Sequence, residues 1–295
     1  MDVDLDLRES NGASGRPKTA FVLGGGGNLG AVQVGMLQAL LDRGIVPELV
    51  VGCSVGALNG AAIAGDPTRE GAERLGDVWC GLDGASLIGG SSNLSSIWSL
   101  LRRGSSLSSN DGLRRLLHDA SPITTFEEAV VPLHVVATSL ETGDERWFTS
   151  GSVVAPILAS AALPAVYPPI EIDGELHVDG AVVNNVPISR AVDQGAERVY
   201  VCHVGNFTRP RGEPKRPIDV LLQSFSIARN HRFQSEHTRS WPDIELIVLP
   251  GVDPGKLGRN DFRRTPELIR RGRESAGRFL DERAVARAPS TTTTG

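Results

Sequence analysis

The chain has 295 residues, of which 40% are hydrophobic and 22% charged, enough for one large globular domain or two small ones. With 30 basic and 35 acidic side chains the net charge is −5, which argues against nucleic acid as the main partner, because phosphate binding needs a basic field. The three cysteines, Cys53, Cys80 and Cys202, match no disulfide or zinc spacing and suit a reducing compartment.

In chain order, residues 1–17 read as a polar, disordered tail that lacks the basic-then-apolar order of a signal peptide. No apolar run reaches the ~20 residues that span a bilayer. A cytoplasmic protein, at most peripheral at a membrane, is expected. Residues 19–23 (TAFVL) form a buried strand stopped by four glycines. A helix follows to Gly44, with Val32, Met36, Ala39 and Leu40 on its apolar face. PELVVG gives a second strand, and VGALNGAAIAG a small-residue helix. Further strands are expected at 132–139, 145–149, 198–204 and 244–249. Helices are expected near 69–81, 110–119, 153–162, 187–194, 217–237 and 266–284. This alternation predicts an α/β fold, a three-layer α/β/α arrangement with a mostly parallel central sheet, as one domain over 18–285. Residues 206–217 read as a Pro- and charge-rich mobile loop, and 286–295 as a second loose tail. Segment 84–110 is Gly- and Ser-rich but contains SIWSLLRR. It reads either as a surface loop or as a lid. In the lid, Ile97, Trp98, Leu100 and Leu101 would meet apolar substrate and Arg102 and Arg103 anionic headgroups.

Chemistry concentrates at three places. GGGGNLG (24–30) matches G-x-G-x-x-G at Gly25, Gly27 and Gly30, between a strand and a helix. Such a loop presents backbone N–H groups to a negative group, either a pyrophosphate or a reaction oxyanion. A nucleotide site also wants an acid at the end of the second strand, but Glu48 stands at its beginning.

VVGCSVGALNG places Ser54 between Gly52 and Gly56, after an apolar strand and before a helix. This is the nucleophile-elbow pattern, in which the Val55 N–H helps hold an oxyanion. Cys53 beside it completes the apolar strand and reads as packing. A serine hydroxyl needs a base. None of His118, His134, His177, His203, His231 and His237 stands in the late-strand position of a usual triad; His134 and His203 lie within apolar strands. The third place is ELHVDGAVVNNVPI, where Asp179 precedes Gly180. An aspartate there is either a turn former or a catalytic acid. Asp173, in an earlier Asp-Gly pair, shapes a hairpin turn.

Together, Gly24–Gly30, Gly52-x-Ser54-x-Gly56, SAALPAVYPP, and Asp179-Gly180-Ala181 with NNVP resemble the bacterial patatin-like phospholipases over roughly residues 18–205. The resemblance implies a serine acyl hydrolase of (phospho)lipid esters that works through a Ser54–Asp179 dyad without histidine. It implies an oxyanion hole of the Gly25, Gly26 and Gly27 amides and no metal or organic cofactor. The partner is then a lipid or acyl-ester substrate, with transient membrane-surface contact. One departure stands at Leu29, where many bacterial members carry Arg or Lys, and Asn28 is a candidate replacement donor. Ala181 replaces a frequent glycine. Leu29 also keeps open a catalytically weak lipid-binding regulatory protein, and the glycine loop a nucleotide-binding protein.

Overall fold

The computed structural model describes residues 18–82, 110–204, 213–214, 217–255 and 261–287. The proposed lid, including Trp98 and Leu101, and most of both tails lie outside the described residues, as does most of the 206–217 loop.

Five apolar strands form a parallel run: β1 (Thr19–Leu23), β2 (Leu49–Cys53), β3 (Leu133–Ser139), β7 (Arg198–Cys202) and β8 (Glu245–Val248). Three more, β4 (Glu145–Phe148), β5 (Ile170–Ile172) and β6 (Glu175–Asp179), pair antiparallel at the β3 side. Strand pairing links β5-β6-β3-β2-β1-β7-β8 in turn, and β4 also pairs with β3. The sheet is therefore mixed, and its antiparallel part surrounds Asp179.

The period-two alternation of the strands separates two cores. Phe21, Leu23, Val50, Leu133 and Tyr200 face one side. There they meet α1 (Gly30–Leu41), α2 (Val55–Gly65), α3 (Arg69–Cys80), α4 (Asp111–Ala120) and α8 (Thr265–Arg287). Ala20, Val22, Val51, Val199 and Val201 face the other side. That face is covered by α6 (Ile188–Asp193) and by Phe233 of α7 (Pro217–Thr238). A short α5 (Val154–Ser160) packs beside β3, β5 and β6. This is the α/β/α layering that the alternation predicts.

Two details differ from the expected pattern. Helix α1 is buried on every face rather than one, because α8 covers the side turned away from the sheet. The two helices cross at bare backbone: a Cβ on Gly35 would lie 2.1 Å from Ile269 O, and one on Gly272 would lie 2.5 Å from Val32 O. Helix α8 also runs to Arg287, two residues into the expected tail. The Asp173–Gly174 pair forms the β5–β6 turn, with φ of 54° and 83°, as a two-residue hairpin turn requires.

Candidate active site

Strand β2 ends at Cys53, and the chain reverses sharply into α2 at Ser54. Ser54 has φ 54° and ψ −125°, a left-handed conformation that L-residues avoid. Holding it costs on the order of 1–3 kcal/mol, which the packed strand and helix must offset. The turn is tight because α2 approaches the end of β1 closely: a Cβ on Gly56 would lie 2.1 Å from Leu23 O. Gly24, Gly30, Gly52 and Gly180 are likewise packed against Val186, Trp79, Ala57 and Val136.

Sheet pairing brings the carboxylate to this turn. Val135 and Val136 pair with β2 on one edge of β3 and with β4 on the other. Ala137 and Thr138 pair with that same β4 and, across from it, with β6. Strands β2 and β6 thus share one edge of β3 and run toward each other. Cys53 is opposite Val136, and Asp179 is opposite the next residue, Ala137. Ser54 Oγ donates to Asp179 Oδ2 at 2.9 Å. Asp179 Oδ1 accepts from Ala181 N at 2.8 Å, and its main-chain carbonyl accepts from Thr138 Oγ1 at 2.9 Å. Asp179 is only 3% exposed. Burial pushes its carboxyl up to about 6, against the opposing pull of the Ala181 amide, the Ser54 hydroxyl and the Arg229 charge. The Ala181 methyl fills a small apolar cluster with Cys53, Val136 and Phe225, so the departure from glycine is accommodated.

The segment SAALP has a role that its sequence did not disclose. Ser160 Oγ accepts the Ser54 N–H at 2.8 Å, and Ala162 O accepts the Asp179 N–H at 3.0 Å. One stretch of three residues, Ser160 to Ala162, thereby fixes the backbones of both partners. Arg229 on α7 also acts on this pair. It sits one turn beyond Phe225, which packs on the Cys53 cluster, and one turn before Phe233, which stacks on His203 at 4.3 Å. Its positive charge favours ionised Asp179. Nothing local in the sequence marks it, since α7 reads as a polar helix.

The amides of the glycine loop differ in their partners. Gly25 was expected to offer its amide, but that N–H donates to Asn185 O at 3.2 Å. The amides of Gly26, Gly27 and Val55 meet no acceptor among the described residues. Asn28 is buried, and its Nδ2 donates to Asp261 O at 3.1 Å. Leu29 packs against the main core. Asn185, from the NNVP motif, is 1% exposed and lies beside Gly25. A Cβ on Gly25 would fall 2.7 Å from Asn185 Oδ1 and 3.0 Å from Ser54 Cβ.

The remaining candidates fall into structural places. Cys53 is fully buried, with Sγ 3.9 Å from Asp179 Oδ1; burial, helped by the Asp179 charge, pushes its thiol well up, away from a thiolate. His134 accepts from Arg190 Nε at 3.0 Å and is lowered to about 4, chiefly by burial. His203 is lowered by burial to about 3. Glu48 accepts the Thr19 N–H at 2.8 Å, at the opposite end of the strands from the glycine loop. No group of His, Cys, Asp and Glu among the described residues could hold a metal ion.

A serine at a strained strand–helix elbow, hydrogen-bonded to a buried carboxyl, is an arrangement able to support acyl-transfer chemistry. The patatin-like phospholipase model matches residues 21–192, and the chain belongs to that family. Patatin-like phospholipase domain-containing protein 7 of Mus musculus is 30% identical over 189 residues, covering 63% of this chain and 14% of its own length. An uncharacterised NTE-family protein of Mycobacterium bovis is 32% identical over 177 residues, covering 60% of this chain and 46% of its own. The chain thus spans about one seventh to one half of the length of these relatives. They come from an animal and a mycobacterium alike, so the match is to the family rather than to a bacterial branch. VipD from Legionella pneumophila aligns with TM-score 0.48 and 16% identity, over 90% of this chain and 67% of that one. No helix among the described residues is long and apolar enough to cross a membrane.

Proposed function

We propose that the unit over 18–285 hydrolyses fatty-acyl esters of lipids, with Ser54 as nucleophile and Asp179 as base. The observation that carries this reading is the 2.9 Å bond from Ser54 Oγ to a buried carboxyl raised to about 6. A base poised near neutral pH removes a hydroxyl proton better than an ordinary carboxylate. Asp179 takes the Ser54 proton as Oγ attacks the ester carbonyl. The amides of Gly26, Gly27 and Val55 receive the tetrahedral oxyanion at the positive end of α2, each donor contributing roughly 3 kcal/mol in comparable sites. The carbon–oxygen bond to the alcohol breaks, and the leaving alkoxide takes the proton from Asp179. Asp179 then activates water, whose oxygen attacks the acyl-serine. The fatty acid leaves and Ser54 recovers its proton. Each step is carried by side chains and backbone amides of this chain.

The membrane surface enters only as the place where such substrates reside. A release assay on a mixed panel of phospholipids, lysophospholipids and neutral esters tests the reading, with Ser54→Ala as blank. Fatty-acid release above the blank from at least one lipid class is expected; release equal to the blank from every class overturns it.

A further inference from the structure

A chain of buried hydrogen bonds runs from α3 to the glycine loop. Trp79 Nε1 donates to Asn59 Oδ1 at 2.9 Å. Asn59 Nδ2 donates to Gln33 Oε1 at 2.9 Å and to Gly30 O at 3.2 Å. Gln33 Nε2 donates to Gly24 O at 3.1 Å and to Cys202 O at 2.9 Å. Trp79 is 1% exposed, and Asn59 and Gln33 are 0% exposed.

The direction of the chain is fixed at its origin. An indole N–H can only donate, so Asn59 must turn its oxygen toward Trp79 and its NH2 toward Gln33. Gln33 must then turn its oxygen toward Asn59 and its own NH2 toward the two carbonyls. Neither amide can flip without placing like groups together in a site that water does not reach. At the far end Gly24 O is drawn inward. Because the Gly24–Gly25 peptide is planar and trans, the Gly25 N–H points the opposite way. That is where Asn185 O accepts it, at 3.2 Å. The first peptide plane of the loop is therefore set from both sides, and it is the plane from which the chain runs on to the Gly26 and Gly27 amides.

We infer that Trp79, Asn59 and Gln33 are positioning residues, which orient the glycine-loop amides toward the oxyanion formed at Ser54. The inference rests on the ester-hydrolysis reading for its kinetic consequence. A polar chain at this place could otherwise serve stability alone, and the two roles give different measurements.

Gln33→Met keeps volume and removes the links to Asn59 and to the Gly24 and Cys202 carbonyls, while Trp79→Phe keeps an aromatic ring and removes only the chain's origin. On a short soluble ester, Gln33→Met is expected to lower kcat about 10- to 100-fold with KM within about twofold, the signature of a contact made in the transition state. The pH inflection set by Asp179 stays in place. Trp79→Phe lowers kcat several-fold, and the double variant is no slower than Gln33→Met, because the residues act as one unit. Amide hydrogen exchange across residues 24–30 speeds up in both single variants. A folded Gln33→Met enzyme with wild-type kcat, or losses that simply add, overturns the inference. If Gln33→Met does not fold, Trp79→Phe decides alone: wild-type kcat and unchanged loop exchange refute it. A wild-type protein that turns over no ester refutes the hydrolase reading instead. The exchange measurement then remains, and unchanged loop protection in both variants would still refute the positioning role.

Discussion

Ser54 Oγ and Asp179 Oδ2 stand 2.9 Å apart although 125 residues separate them in the chain. The cause is the shared edge of β3, along which β2 and β6 meet end to end at Val136 and Ala137. Two carboxyl-terminal strand ends deliver the two groups, so neither depends on a flexible loop. Ser54→Ala and Asp179→Asn should each lower kcat/KM on any ester substrate by about 1,000-fold or more, as loss of a nucleophile or its base does elsewhere. Steady-state kinetics with circular dichroism as a folding control checks this. Near wild-type turnover in either folded variant would reassign the pair.

The buried carboxyl predicts opposite pH trends for activity and for stability. Only ionised Asp179 can accept the serine proton, so kcat/KM should rise through about pH 6 and level off above it. Stability runs the other way. The folded carboxyl is raised above its unfolded value, so its contribution is fully present below about pH 4 and is lost as pH rises through about 6. Asp179→Asn should therefore gain on wild type between about pH 4 and 7, by up to about 3 kcal/mol for a shift of this size. Denaturant melts of both proteins across that range measure the gain.

Backbone strain at Ser54 gives a separate prediction. Glycine adopts φ 54° without the Cβ clash that serine and alanine suffer. Ser54→Gly should be inactive yet more stable than Ser54→Ala by about 1 kcal/mol. Chemical denaturation of the two inactive variants isolates the backbone term, because neither has the hydroxyl.

The α1–α8 crossing can be tested without reference to catalysis. A methyl group at Gly35 would overlap Ile269 O at 2.1 Å, where neither helix backbone can yield. Gly35→Ala should destabilise by roughly 2–4 kcal/mol through forced separation of the helices. Gly143→Ala is a useful contrast: a Cβ there meets nothing within 4 Å, so its cost comes from φ 77° alone.

The sequence made the strand–helix alternation legible because apolar runs and glycine stops are local signals. The Ser54 elbow was readable for the same reason: strand, glycines and small-residue helix are contiguous. Asp179 became a strong candidate only through its companion motifs, because an Asp-Gly pair is by itself a turn. What stayed hidden depends on pairing between distant segments. Ser160 and Ala162 act through one hydroxyl and one carbonyl on the backbones of Ser54 and Asp179. Gly25 carries the expected glycine, yet its amide is taken by Asn185, which no spacing rule foretells. Asn28 ties the loop to the segment before α8, a contact between segments more than 200 residues apart. The all-round burial of α1 was unreadable because its covering helix lies more than 200 residues later.

The most direct test is stoichiometric labelling with an alkyl fluorophosphonate followed by intact-mass and peptide mass spectrometry. The account predicts one adduct per chain, on Ser54, absent in Ser54→Ala and formed far more slowly in Asp179→Asn. Labelling at another residue, or a folded protein that resists the probe while ester turnover persists in Ser54→Ala, would contradict it.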